Sequence, residues 1–270
     1  MFGAYLTATR EKKPLVHCIT NYVTVNDCAN ILLACGGSPI MADDAAEVEE
    51  ITAICSALDI NIGTLNERTV KSMLLAGRRA NQLGHPVLLD PVGVGASHLR
   101  TRTAYDLIDG VKFTVIRGNI SEIKTIYAGS GTTKGVDADV ADAVTDDTVP
   151  QAAAFAKTLA ARTGAVIAIT GAIDIVADGS RAFAIRNGHP KMSRITGTGC
   201  MLSAVTCALV AANPGHTLEA TAAAVCMMGI CGEMAAAASG TGSFRAALID
   251  AMSNLDGAGL DKAEKCEEVK

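Results

Sequence analysis

Short apolar runs and helix-patterned stretches take turns along most of this chain. PLVHCIT (14–20), SPIMA (38–42), LDINIGT (58–64), HPVLLDPVG (85–93), FTVIRGN (113–119) and AVIAITG (165–171) read as strands. Helical apolar spacing follows over 26–34, around 45–56, over 66–83, over 99–109, from 121 onward and up to 163, with Gly36-Gly37 stopping the first. A hairpin-like pair flanks Asp178-Gly179-Ser180, and a nearly all-helical third follows at 200–212, 217–238 and 243–253. Repeated strand–helix units predict an α/β domain, a mostly parallel sheet with helices on both faces. The polar stretch 129–150 reads as a surface loop or insertion, and the charged tail from about 257 is expected to fray.

The 270 residues suit one large domain or two small ones with a sizeable core, and 49% hydrophobic against 19% charged residues is a globular balance. Aromatics are only 3% with no Trp, so Ala, Val, Ile, Leu and Met must build the interior. A net charge of −5 without a basic, aromatic-interleaved cluster argues against nucleic acid as a partner. The N-terminal stretch carries no signal-peptide pattern, and no run of eighteen apolar residues predicts a membrane span. Nine cysteines, without metal-ligand spacing or any Cys-x-x-Cys, read as reduced thiols, eight of them buried. A cytoplasmic location is the expectation.

The chemically capable residues gather at predicted strand ends: Thr20-Asn21, Met41, Gly63-Thr64, Asp90-Pro91, Arg117-Gly118-Asn119 and Thr170-Gly171. In open parallel sheets that is where ligands bind, so the pattern points to a small-molecule site. ITGTGCMLS (195–203) adds a glycine turn, Gly197 and Gly199, running into a helix that starts near Cys200. Such a turn lets backbone N–H groups and the helix dipole converge on an anion, although a tight turn alone would also need the glycines. It is neither a P-loop nor a complete Gly-x-Gly-x-x-Gly. A thiol at a helix start is expected to favour thiolate. Asn119 and Glu122, three apart across a strand-to-helix junction, fit a helix cap better than a Mg²⁺-water site on spacing alone. Asp90 ends an apolar strand and needs a cation, a donor or solvent.

Together, NISE (119–122) and GTGC (197–200) resemble the paired motifs of ribokinase-like small-molecule kinases. HCITNYVTVNDCANILLACGGSPIMADDAAEVEE (17–50), TLNE (64–67), LLDPVGVGAS (88–97) and RGNISEI (117–123) are similar to the hydroxyethylthiazole kinase family, over roughly 14–251. The resemblance implies a single ribokinase-like three-layer α/β/α domain. It implies transfer of the ATP γ-phosphoryl group to 4-methyl-5-(2-hydroxyethyl)thiazole with Mg²⁺, in thiamin salvage. By matching motif, Asn21, Val23, Met41, Gly63 and Gly197 would bind the thiazole. Arg117, Thr170, Gly197 and Gly199 would bind ATP phosphates, and Asp90 and Glu122 would hold Mg²⁺ through water. Cys200 would stand beside the substrate hydroxyl, where most ribokinase-like enzymes carry an Asp, as a modest base or a spacer. The resemblance also implies a homotrimer with shared pockets. The alternatives are another kinase of the superfamily, such as one for hydroxymethylpyrimidine, a cysteine-dependent hydrolase built on Cys200, and a non-catalytic nucleotide binder.

Overall fold

A computed structural model describes residues 1–128 and 143–270, and nine strands in it form one sheet. In chain order the strands are β1 (Leu15–Ile19), β2 (Ser38–Ile40), β3 (Ala57–Asn61), β4 (Val87–Asp90), β5 (Val115–Asn119), β6 (Val166–Thr170), β7 (Asp174–Ala177), β8 (Ala182–Ile185) and β9 (Cys266–Glu268). Their spatial order is β2-β1-β3-β4-β5-β6-β7-β8-β9. β2 through β6 run parallel, and β7, β8 and β9 are antiparallel additions at one side.

The helices are α1 (Gly3–Lys12), α2 (Val25–Cys35), α3 (Val48–Ile54), α4 (Glu67–Leu83), α5 (His98–Gly110), α6 (Ile120–Ala128), α7 (Val149–Thr163), α8 (Thr198–Ala212), α9 (Thr217–Ala235), α10 (Thr241–Asn254) and α11 (Gly257–Ala263). Strand alternation sorts them into two layers. On β3, Ala57 joins the core under α1, α2, α8, α9, α10 and α11, while Leu58 and Ile60 join the opposite core under α3 to α7. On β4, Leu88 faces the first core, and Val87 and Leu89 face the second. Both faces of these strands are buried, as parallel sheets require, and the chain is a three-layer α/β/α sandwich.

Local chemistry starts and stops the helices. Asn66 accepts from Thr69 N and Thr69 Oγ1 answers Asn66 N, a reciprocal cap on α4. Gly36 ends α2. α9, nineteen residues long, is the one helix among the described residues apolar and long enough to cross a bilayer, yet 83% of its apolar window is buried by the rest of the protein. It is the central helix of the first core.

The tail differs from its sequence expectation. Residues after Asp256 are charged, but Asp256 caps α11, Leu260 is fully buried, and β9 pairs with β8. Arg181 binds Glu268 at 2.9 Å and Arg186 binds Glu267 at 2.7 Å, so the charges hold the tail to the sheet instead of loosening it. Of the polar stretch 129–150, residues 129–142 lie outside the described residues. Asp146–Thr148 form a short turn of helix leading into α7. The sheet therefore ends in two short edges. One is the three-residue β2, which includes Pro39, and the other is the three-residue β9, with Glu267 and Glu268 exposed.

Candidate active site

The carboxyl ends of β3, β4 and β5 meet the start of α8 around a cavity of about 540 Å³. Its lining includes Asn21, Gly63, Asp90, Arg117, Glu122 and Cys200, together with the whole turn Gly197-Thr198-Gly199.

The glycines of that turn serve two separate needs. Gly197 has φ +90°, and a Cβ there would lie 2.6 Å from Thr24 Cγ2. Gly199 is pressed on by Arg117: a Cβ would come within 2.7 Å of Nη2. Gly197 precedes the first residue of α8 and no side chain caps that end. The first-turn N–H groups therefore border the cavity with the positive end of the helix dipole behind them, the local arrangement that favours a phosphate.

Asp90 and Arg117 form the charged floor. Asp90 is fully buried, and its Oδ2 accepts from Asn61 Nδ2 (2.8 Å), Ser203 Oγ (2.8 Å) and Arg117 Nη1 (3.2 Å). Arg117 Nη1 also reaches Oδ1 at 3.3 Å, and Nη2 donates to Thr170 Oγ1 at 2.8 Å. Arg117 thus leans on Asp90 and Thr170 and lies against the glycine turn. Thr170 supports the guanidinium and stands outside the cavity lining.

Asn119 and Glu122 form the reciprocal cap their spacing predicts. Asn119 Oδ1 accepts from Glu122 N at 2.9 Å, and Glu122 Oε2 accepts from Asn119 N at 2.8 Å. Glu122 Oε1 takes the Gly93 N–H at 2.8 Å, which pins the glycine loop after β4. Burial first, and the charge of Asp90 second, push the Glu122 carboxyl up to about 7 despite these donors. Cap and cavity wall are the same side chain.

Cys200 overturns one expectation. It sits near the start of α8, but only 9% of it is exposed, and its Sγ accepts from Asn21 Nδ2 at 3.2 Å. Burial, and then the negative charge of Asp90, raise the thiol above its ordinary value, and the opposing pull of Arg117 does not cancel them. The group is a neutral thiol, not the thiolate that helix position alone predicts. Other cysteines are likewise raised by burial, among them Cys35 and Cys55, each to about 11.

The remaining sequence candidates divide. Asn21, Val23, Gly63 and Gly197 line the cavity, with Val23 56% and its neighbour Tyr22 78% exposed. Met41 does not line it and packs, half-buried, against the first core. Two residues that sequence reasoning passed over prove central, Asn61 and Ser203. Ser203 is four after Gly199, so it shares a helix face with it; Asn61 is two before Gly63 at a strand end. Those spacings were the available signals.

A model of the hydroxyethylthiazole kinase family matches residues 6–257. The hydroxyethylthiazole kinase of Clostridium acetobutylicum is 63% identical over 271 residues, covering 99% of both chains. That of Desulfovibrio desulfuricans is 53% identical, covering 96% of this chain and 95% of the relative. Among solved structures, the hydroxyethylthiazole kinase protein from Pyrococcus horikoshii superposes with a TM-score of 0.89 at 38% identity, covering 100% of this chain and 99% of that one. A ribokinase-like superfamily protein from Enterococcus faecalis aligns at a TM-score of 0.62 and 13% identity, covering 94% of this chain and 90% of that one, a likeness of fold alone. The architecture is ribokinase-like.

Proposed function

The chain belongs to the hydroxyethylthiazole kinase family, and from that premise we propose how its residues share the work of the reaction. The protein is a kinase that transfers the γ-phosphoryl group of ATP to the hydroxyl of hydroxyethylthiazole. The alternatives, a hydroxymethylpyrimidine kinase or a cysteine-dependent hydrolase, are not favoured by these relatives. One observation carries the site assignment: a single cavity joins a polar pocket around Asn21 to an uncapped helix start beside Arg117.

In this reading the thiazole lies between Asn21, Val23 and Gly63, with its hydroxyl near Cys200 and Gly197. The phosphates of ATP lie against Arg117 and the first-turn N–H groups after Gly197 and Gly199. Thr170 acts through Arg117, whose guanidinium it orients. As the alcohol oxygen bonds to the γ-phosphorus, the bond to the β-phosphate bridging oxygen breaks and ADP leaves. The hydroxyl proton passes late to an oxygen of the transferred phosphoryl group and from there to solvent, because the transition state is loose and asks little of a base. A neutral thiol therefore suffices at position 200, and we assign Cys200 as a spacer that shapes the hydroxyl's seat. Charge developing on the transferred group is met by Arg117 and the helix start.

The donor set fits Mg²⁺ held through water. Asp90 and Glu122 both line the cavity, and their oxygens already accept protein hydrogen bonds, which leaves lone pairs for water more readily than for direct metal bonds. When bound, Mg²⁺ would supply positive charge against the phosphates. The exposure of Val23 in the cavity lining, beside the exposed Tyr22, supports a pocket completed by another copy in a homotrimer. The whole chain then acts as one cytoplasmic domain.

The test is ATP consumption with Mg²⁺ and hydroxyethylthiazole, beside hydroxymethylpyrimidine and a no-acceptor control. Turnover is expected only with the thiazole, and equal or greater turnover with the pyrimidine would overturn the assignment. Light scattering after size exclusion is expected to give a trimer mass.

A further inference from the structure

Asn61 ends β3 directly opposite Asp90 on β4, is 1% exposed, and does not line the cavity. Its carboxamide has one possible orientation. Oδ1 accepts from Asn21 Nδ2 at 3.1 Å and from Gly63 N at 2.9 Å, while Nδ2 donates to Asp90 Oδ2 at 2.8 Å. A reversed amide would face two donors with its own N–H₂ and a carboxylate with its oxygen. Asn61 therefore joins the two halves of the site: Asn21 on the thiazole side and Asp90, with Arg117, on the phosphate side.

Ser203 makes the matching tie from the opposite layer. Fully buried one turn into α8, its Oγ lies 2.8 Å from Asp90 Oδ2 and 3.3 Å from the Gly199 carbonyl. The hydroxyl that fixes Asp90 thus belongs to the helix whose start cradles the phosphate. A continuous path runs Cys200, Asn21, Asn61, Asp90, Arg117, Thr170.

We infer that Asn61 and Ser203 are positioning residues that set Asp90, and through it Arg117, in register with the acceptor hydroxyl. The inference rests on the kinase reading above. Neither residue touches substrate. Both act on how well the guanidinium meets the moving phosphoryl group, so their effect belongs in kcat more than in KM.

Asn61→Ala removes all three ties at once. It is expected to lower kcat about a hundredfold while the KM for hydroxyethylthiazole changes by less than about threefold. Ser203→Ala keeps a strong helix former in α8, and is expected to lower kcat about tenfold with the KM for hydroxyethylthiazole changed by less than about twofold.

An Asn61→Ala or Ser203→Ala enzyme with parental kcat, or one whose loss lies in KM alone, overturns the inference while a working parent enzyme leaves the kinase assignment standing. A parent enzyme that ignores hydroxyethylthiazole brings down both.

Discussion

Asp59 on β3 and Asp90 on β4 lie on the same face of the sheet, both fully buried, and they meet opposite fates. Asp90 stands at the strand end and receives hydrogen bonds from Asn61, Ser203 and Arg117. Asp59 lies one layer deeper, in register with Cys18 and Leu88, and neither of its oxygens has a hydrogen-bond partner among the described residues. Burial, and next the charge of Asp90, hold the Asp59 carboxyl well above its ordinary value of 3.8, so it is kept neutral. Two identical side chains thus differ in their surroundings because one layer of the sheet carries donors and the next carries sulfur and hydrocarbon. In this fold the boundary between reactive site and inert core is one residue pair thick.

The comparison breaks most visibly at Asp90. Asp90→Ala leaves Arg117 buried with Thr170 as its remaining close partner, and is expected to cost about 3–5 kcal/mol in a denaturant titration along with activity. A loss under about 1 kcal/mol would mean that the donors around Asp90 do not hold a charge. Glu122 tests the same boundary through pH. Its folded value of about 7 lies above its ordinary 4.5, so the folded state keeps its proton while the unfolded state loses it. The fold accordingly loses stability as pH rises from about 4.5 to about 7, by up to about 3 kcal/mol from this group. Activity should move the other way, rising through pH 7 as the Glu122 side chain becomes a carboxylate. Glu122→Gln should flatten both curves.

Asp59→Val removes the unpartnered acid. It is expected to raise stability by about 2 kcal/mol at pH 8 and by less near pH 4, because the cost of keeping Asp59 neutral appears only above its ordinary value. Parallel denaturation curves at the two pH values check the sign. The smallest effect is expected at Cys200. As a spacer it should tolerate Cys200→Ser with kcat falling less than tenfold, whereas a general base would lose about a hundredfold or more.

Much of this arrangement is legible in the sequence, for identifiable reasons. The parallel strands announce themselves because both their faces are buried, which makes them short apolar runs between helices. Gly197 and Gly199 stand out as a glycine pair at a helix start, Gly197 needing its left-handed backbone and Gly199 the room that Arg117 fills, and Asn119 with Glu122 because a cap needs that spacing. Asn61 and Ser203 do not stand out, since their roles arise from strand register and from a helix crossing the sheet, neither of which is local. The neutral state of Cys200 is hidden for the same reason: position at a helix start is visible in sequence, whereas burial beside Asp90 is not. The tail from 257 reads as frayed because its charges look solvated, yet their partners, Arg181 and Arg186, lie more than seventy residues earlier.

The two edges of the sheet bear on how copies of this chain can meet. At one rim β2 is three residues long and Pro39 removes an amide donor, and at the other the side chains of Glu267 and Glu268 would repel an identical strand. Neither rim offers a template for a further strand. Contacts between copies through these rims are thereby steered away from strand-by-strand growth, which has no natural end.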